Sequence, residues 1–213
     1  MPSQTFVDLM LADLKRSGLG RPEAERLGIK PLNTGSVIDL TKGAIKQPAY
    51  RIPYFDLDGK VTKYYRLRLL EDTGDGTGAF KGAKSGGQRY WQPPSTKPWL
   101  YMPPILKSTW SKIAKDTKVL IVITEGEKKA IVACLKGLPC VGIGGVWSFQ
   151  SKKKQIVLIP DLEAFDWKSR DVELCFDSDV SERTDLMAAL YSLARELIKR
   201  GARVSRVDLP EEE

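Results

Sequence analysis

From Val119 onward the chain alternates between continuous apolar runs of strand length and segments of helical period, and few folds accept that order. The run VLIVIT at 119–124 is apolar throughout, which fits a strand covered on both faces. EGEKKAIVACLKG at 125–137 has helical composition and a closing glycine, Gly137. CVGIGG at 140–145 reads as a short strand and turn. After an irregular insertion, DVELCF at 171–176 is a third strand that runs into DSD. DLMAALYSLARELIKRG then places Leu186, Leu190, Leu193 and Leu197 on one helical stripe ending at Gly201, and ARVSRVDLP is a last strand. Strands joined through helices imply right-handed crossovers and a mostly parallel sheet, so the fold class is α/β.

Such sheets bind ligands at the carboxyl ends of their strands. Two strands here end in acids: the first runs into Glu125 and the third into Asp177 and Asp179. A single Asp at a strand end is commonly a loop start or a helix cap. Two acidic ends in one βα array repel each other unless a cation neutralises them, and hard oxygen donors of this kind suit Mg²⁺ or Mn²⁺ beside phosphate. Gly126 allows close approach to the backbone, and the helix it opens offers N–H groups to an anion.

The preceding sequence divides in two. Residues 1–47 form a helical segment and linker: Phe6, Leu9, Met10 and Leu14 share a helical face interrupted by Asp8 and Asp13, Pro22 opens a short helix through Arg26, and Lys30 to Pro48 reads as a loop. Residues 48–117 change to a period of two. AYRIPYFD and VTKYYRLRLL flank Asp58-Gly59 as a hairpin, a Gly-rich loop follows, and RYWQPP and WLYMPP are short extended pieces before a helix in ILKSTWSKIAK. Tyr64, Arg66 and Arg68 fall on one hairpin face, and with Lys81, Lys84, Arg89, Tyr90 and Trp91 they predict a basic surface interleaved with aromatics, suited to single-stranded nucleic acid. The bland alternative is a solvated face over core aromatics. Trp99, Trp110, Trp147 and Trp167 are expected in the core.

Charge and composition narrow the chemistry. The net charge is +7, which favours polyanionic partners. There is no histidine, so hydrolases built on a Ser or Cys nucleophile lack their usual base, and Cys134, Cys140 and Cys175 lack zinc-site spacing and read as buried inert thiols. No apolar run is long enough to span a membrane and the N-terminus is not a signal peptide, which predicts a cytoplasmic protein. GAFKGAKS is not a phosphate-binding loop, GIGGVW is not a dinucleotide fingerprint, and DTGDGTG lacks the spaced acids of a calcium loop.

TEGE at 124–127, the glycines Gly142, Gly144 and Gly145, and FDSD at 176–179 together resemble the Toprim signature, in order and strand placement, over about 119–209. The resemblance implies a Toprim domain at 118–210 in which Glu125, Asp177 and Asp179 are the catalytic and metal-binding acids, with Gly126, Gly144 and Gly145 admitting phosphate. Lys129 stands where bacterial primases carry an Asp, which leaves the number of metals open. Arg51-Ile52-Pro53, Asp58-Gly59, Arg66, Arg68, Arg89-Tyr90 and Leu100-Tyr101 occur in the order of the basic subdomain before the DnaG-type primase Toprim part. TEGEKKA and FDSDV are closer still to the Toprim-like domain of phage and plasmid replication proteins, often fused to a helicase.

The resemblance thus implies a metal-dependent nucleotidyltransferase that makes primers on single-stranded DNA from nucleotides, with a helicase domain or subunit as partner. Arg51, Arg66, Arg68, Lys84, Arg89, Tyr90 and Lys128 are its expected nucleic-acid and nucleotide contacts. A Toprim phosphodiesterase and a non-catalytic binding module are the alternatives. The end at Pro210 and three glutamates reads as a point within a longer replication protein.

Overall fold

The computed structural model describes residues 4–70, 89–151, 155–176 and 184–208. Two compact units divide the chain: Met1–Tyr54 with Val61–Thr96, and Phe55–Lys60 with Lys97–Glu213.

In the first unit, helix α1 (Gln4–Lys15) ends before the left-handed Gly18, and α2 (Arg21–Arg26) carries proline in its first turn. The stretch expected to be a loop instead forms strand β1 (Lys30–Leu32) and helix α3 (Thr34–Thr41). Its local polar chemistry explains the helix. Asn33 caps it by accepting from the Ser36 amide at 2.8 Å, and Thr41 folds back to donate to the Val37 carbonyl at 2.8 Å. Strands β2 (Ala49–Phe55) and β3 (Val61–Leu69) are the expected hairpin arms, and β4 (Tyr90–Trp91) completes a sheet ordered β1-β2-β3-β4. Asp58 and Gly59 do sit in the turn, yet the turn is organised by Asp56, whose carboxylate accepts from the amides of Asp58 and Lys60.

The hairpin buries both faces. Val37 of α3 packs with Ala49, Leu67, Leu69 and Trp91 on one side, so Trp91 is core rather than part of an open patch. The opposite face carries Tyr50, Tyr54, Tyr64, Arg66 and Arg68. There Asp13 of α1, only 1% exposed, accepts from the Tyr50 hydroxyl at 2.6 Å and from Arg68 at 3.2 Å, and Arg16 joins it at 2.6 Å. An aspartate expected to interrupt the apolar stripe of α1 is therefore buried with cationic and phenolic partners, as a buried charge requires.

The second unit holds β5 (Leu100–Tyr101), α4 (Trp110–Lys115), β6 (Ile121–Glu125), α5 (Glu127–Leu135), β7 (Cys140–Ile143), α6 (Pro160–Glu163), β8 (Asp171–Cys175), α7 (Thr184–Lys199) and β9 (Arg203–Arg206). Its sheet runs β5-β7-β6-β8-β9, parallel except for the antiparallel edge strand β5. The central β6 is buried along its apolar run, and α7 turns Leu186, Leu190, Leu193 and Leu197 inward as the period predicts. Arg170 is a structural cation. Fully buried, it donates to the carbonyls of Ile113, Ala114, Val119 and Asp166, satisfying the C-terminal end of α4 just before β8 begins. Trp110 and Trp167 are core, as expected, whereas Trp147 is 40% exposed. Among the described residues no helix is long and apolar enough to cross a membrane.

Candidate phosphate and metal site

Strand β6 lies between β7 and β8, and its register with both defines the site. Glu125 pairs with Ile143 of β7, and Thr124 pairs with Cys175 of β8. The last residue of β6 therefore stands at the same sheet edge as the end of β8. Phe176, buried, is the described residue that leads into Asp177. Asp177 and Asp179 themselves lie outside the described residues, as does Lys84.

Glu125 is half-buried, and the chain reverses immediately after it. Gly126 takes φ 88°, a left-handed conformation that disfavours any side chain, and becomes the N-cap of α5. Its N–H donates to the Ile143 carbonyl at 2.8 Å, which ties the turn after β6 to the end of β7. The tie has a steric counterpart: a Cβ at Gly142 would lie 2.6 Å from the Gly126 carbonyl oxygen and 3.2 Å from its carbon. Gly142 thus sets how closely β7 approaches the turn that carries Glu125. Its place in the motif was visible in the sequence, but this role needs the strand pairing.

Glu127, one residue into α5, is fully buried rather than part of the open edge. Burial, and then the charge of Glu127, push the phenol of Tyr101 on β5 well above its usual value. Lys128 is half-buried and Lys129 exposed. Burial raises the Cys175 thiol while the Lys129 ammonium opposes that shift, placing a cation of α5 near the end of β8. Cys134 is pushed up to about 11 by burial and Cys140 higher still, in keeping with thiols that are inert at neutral pH. Gly144 and Gly145 are half-buried at the carboxyl end of β7, on the edge shared with Glu125.

The basic and aromatic candidates of the first unit form two groups rather than one surface. Arg66 and Arg68, each only 8% exposed, stack on the Tyr90 ring at 4.5 and 5.0 Å, and Arg68 also pairs with Asp13. Burial alone would pull the Arg68 guanidinium down, but Tyr90 and Asp13 together hold it above its usual value. Arg51 stacks on Tyr65 at 4.4 Å, on the face of the hairpin that carries Trp91. Arg89 alone of the described hairpin arginines is exposed. Period two put Arg66 and Arg68 on one face of β3, and the β3–β4 pairing brings Tyr90 opposite Arg68. Period two could not reveal Asp13, which arrives from a helix 55 residues away from Arg68.

Hard carboxylate donors at the ends of adjacent parallel strands fit a small divalent cation with phosphate oxygens as its other ligands. Among the described residues no cluster of three or more metal-donor side chains gathers, since two of the three expected acids fall outside them.

Residues 109–213 match the model of a family described as a domain of unknown function (DUF3854). An uncharacterized protein of Picosynechococcus sp. is 28% identical over 165 aligned residues, covering 60% of this chain and 16% of that protein, so the chain spans about a sixth of the curated relative it matches. Among solved structures, the DnaG catalytic core is similar with a TM-score of 0.54 and 15% identity, over 99% of this chain and 67% of that one. The fold is Toprim-type. The Toprim-type sheet is the five-stranded one, and its carboxyl edge carries Glu125.

Proposed function

We propose that this chain is a primase-like Toprim core that joins nucleotides into short primers on single-stranded DNA. The observation that carries the reading is the β7-β6-β8 register, which brings the strand ending in Glu125 beside the strand that leads into Asp177 and Asp179. Likeness to the DnaG catalytic core supports it at the level of fold.

In this reading Glu125, Asp177 and Asp179 hold Mg²⁺ or Mn²⁺, which when bound supplies positive charge at the nucleotide phosphates. Gly126 keeps the approach to that edge open, and the first amides of α5 face it as fixed donors. Lys128 contributes charge beside the same phosphates; in the alternative assignment Glu125, instead of holding metal, accepts the proton of the attacking 3′-hydroxyl. Arg51, Lys84, Arg89 and Tyr90 contact template or incoming nucleotide. Because Arg66 and Arg68 are buried against Tyr90, their part is to stiffen and charge the sheet on which Tyr90 and Arg89 are presented. We assign the setting to phage or plasmid replication beside a helicase, on the strength of TEGEKKA and FDSDV, and a curated relative much longer than this chain fits a core joined to further domains.

The test is primer synthesis on a single-stranded template with all four nucleotides and Mg²⁺ or Mn²⁺, with Asp177→Ala as control. Wild-type synthesis abolished by the substitution is expected. A wild type inactive under both metals overturns the proposal; metal-dependent strand cleavage without nucleotides would point to a phosphodiesterase instead.

A further inference from the structure

We infer that the half-open groove at the amino ends of β6 and β7 docks an amphipathic helix of a partner protein, one whose apolar stripe is flanked by acidic residues. The inference does not depend on the reading of the Glu125 edge, because the groove lies at the opposite end of the same strands.

The groove has a volume of about 500 Å³ and is built wholly within the second unit. Its walls come from segments that meet where the parallel strands begin. Val119 stands just before β6 and Pro139 just before β7, whereas Glu125 closes β6 at the far edge. Ile105, Ile113 and Cys134 form a buried floor, and Leu135 at the end of α5 forms a wall that is 40% exposed. That wall is fixed by the way α5 ends. The amide of Gly137, a residue at φ 84°, donates to the Cys134 carbonyl at 3.0 Å, and the Leu138 amide reaches back to the Ala133 carbonyl at 3.0 Å, the paired bonds of a glycine-terminated helix. The residue after such a glycine commonly packs back on its own helix, but Leu138 is 52% exposed. Two half-exposed leucines beside an apolar trough mark an interaction surface.

Charge and shape state the occupant. Lys107 lines the groove, and Lys118 and Lys136 adjoin lining residues in the chain. All three are exposed and none forms an ion pair with a described residue, whereas nearby Lys115 pairs with Asp166 at 3.2 Å. Among the described residues no carboxylate lines the groove, and the carboxylate of neighbouring Asp116 accepts from the Lys118 amide at 3.1 Å. An acidic flank on the occupant supplies the missing counter-charge. The described lining also carries no aromatic ring and no arginine, so a nucleic-acid strand would find partners for its phosphates but no platform for its bases. Aliphatic side chains at i, i+3, i+4 and i+7 of a helix fit such a trough, and the lysines then meet the acids beside that stripe.

The probe is a fluorescein-labelled helical peptide with leucine at those four positions and glutamate on both flanks of the stripe; a second peptide carries lysine in place of each glutamate. Fluorescence anisotropy with the whole chain is expected to show binding of the first, weakening as salt rises, and none of the second. Leu135→Asp and Leu135→Ser weaken binding roughly tenfold or more, through loss of a buried leucine contact. Lys107→Glu combined with Lys136→Glu weakens it about 3- to 10-fold and flattens the salt dependence. Ile198→Ser, at an exposed apolar position on α7, leaves it unchanged. Thermal unfolding checks that each variant is folded, and the lysine pair, on the surface, tests the groove even if both Leu135 variants unfold. Failure of the glutamate peptide to bind, equal binding of the two peptides, or equal affinity of wild type and the folded Leu135 variants overturns the inference. So does displacement of the peptide by oligothymidylate, which would make the groove a nucleic-acid site, or a concentration-dependent dimer lost in the Leu135 variants, which would make a second copy the occupant.

Discussion

The buried cluster around Asp13 gives the sharpest test of how the first unit is held together. Asp13 accepts from Tyr50 at 2.6 Å and from Arg68 at 3.2 Å, and both Asp13 and Arg68 are nearly inaccessible. The Arg16 contact, at 2.6 Å, is to a side chain 44% exposed and is worth little. Replacing Asp13 by alanine removes the anion and leaves a buried guanidinium and a buried phenol facing a gap. Breaking one side of such a pair costs about 3–5 kcal/mol. Asp13→Asn keeps the shape and one acceptor oxygen and is expected to cost about 2–3 kcal/mol, since the charge rather than the contact is lost. With a urea dependence of roughly 1–3 kcal/mol per molar, the alanine variant shifts the unfolding midpoint of the first unit down by more than 1 M or so. Equilibrium urea unfolding followed by circular dichroism measures this. Asp13→Leu combined with Arg68→Met should recover at least half of the loss, because an apolar pair of similar volume replaces the ion pair without stranding a charge. The reasoning is refuted if Asp13→Ala and Asp13→Asn both remain within about 0.5 kcal/mol of wild type.

Two further outcomes follow from the same geometry. Gly142→Ala places a methyl group 2.6 Å from the Gly126 carbonyl oxygen, so the turn after β6 must move by several tenths of an ångström; we expect a stability loss of about 1–3 kcal/mol in thermal unfolding and at least a tenfold fall in primer synthesis, and unchanged synthesis would show that the Glu125 turn is not held by β7. Tyr50 and Tyr101 have phenols pushed up chiefly by burial, then by Asp13 and Glu127 respectively. Because the folded value is raised, their contribution to stability is complete below the unfolded value of about 10 and is lost as pH rises beyond it. Ultraviolet titration should therefore show Tyr50 and Tyr101 among those of the 7 tyrosines that ionise only as the chain unfolds in alkali, and ionisation of all 7 in folded protein would contradict it.

The sequence by itself determined the period-two hairpin, the βα alternation, the inward stripe of α7 and the two acidic strand ends, because each is written in the spacing of neighbouring residues. It also determined that Tyr64, Arg66 and Arg68 share a face, whereas the β3–β4 pairing added Tyr90. Short-range polar chemistry was legible but easily overlooked: Asn33 and Thr41 make a helix of a stretch rich in turn residues, through bonds of three and four residues. Only the tertiary structure decided what no local period encodes. Asp13 became a buried anion because α1 lies over a hairpin bearing Tyr50 and Arg68. Gly142 became a position with no room for a side chain because strand β7 lies against the turn of Gly126. Trp147, expected in the core, is 40% exposed, while Phe149 stacked against it is fully buried. Periodicity fixes which face a residue takes; what that face meets is fixed by chain segments distant in sequence, and burial and charge follow from that meeting.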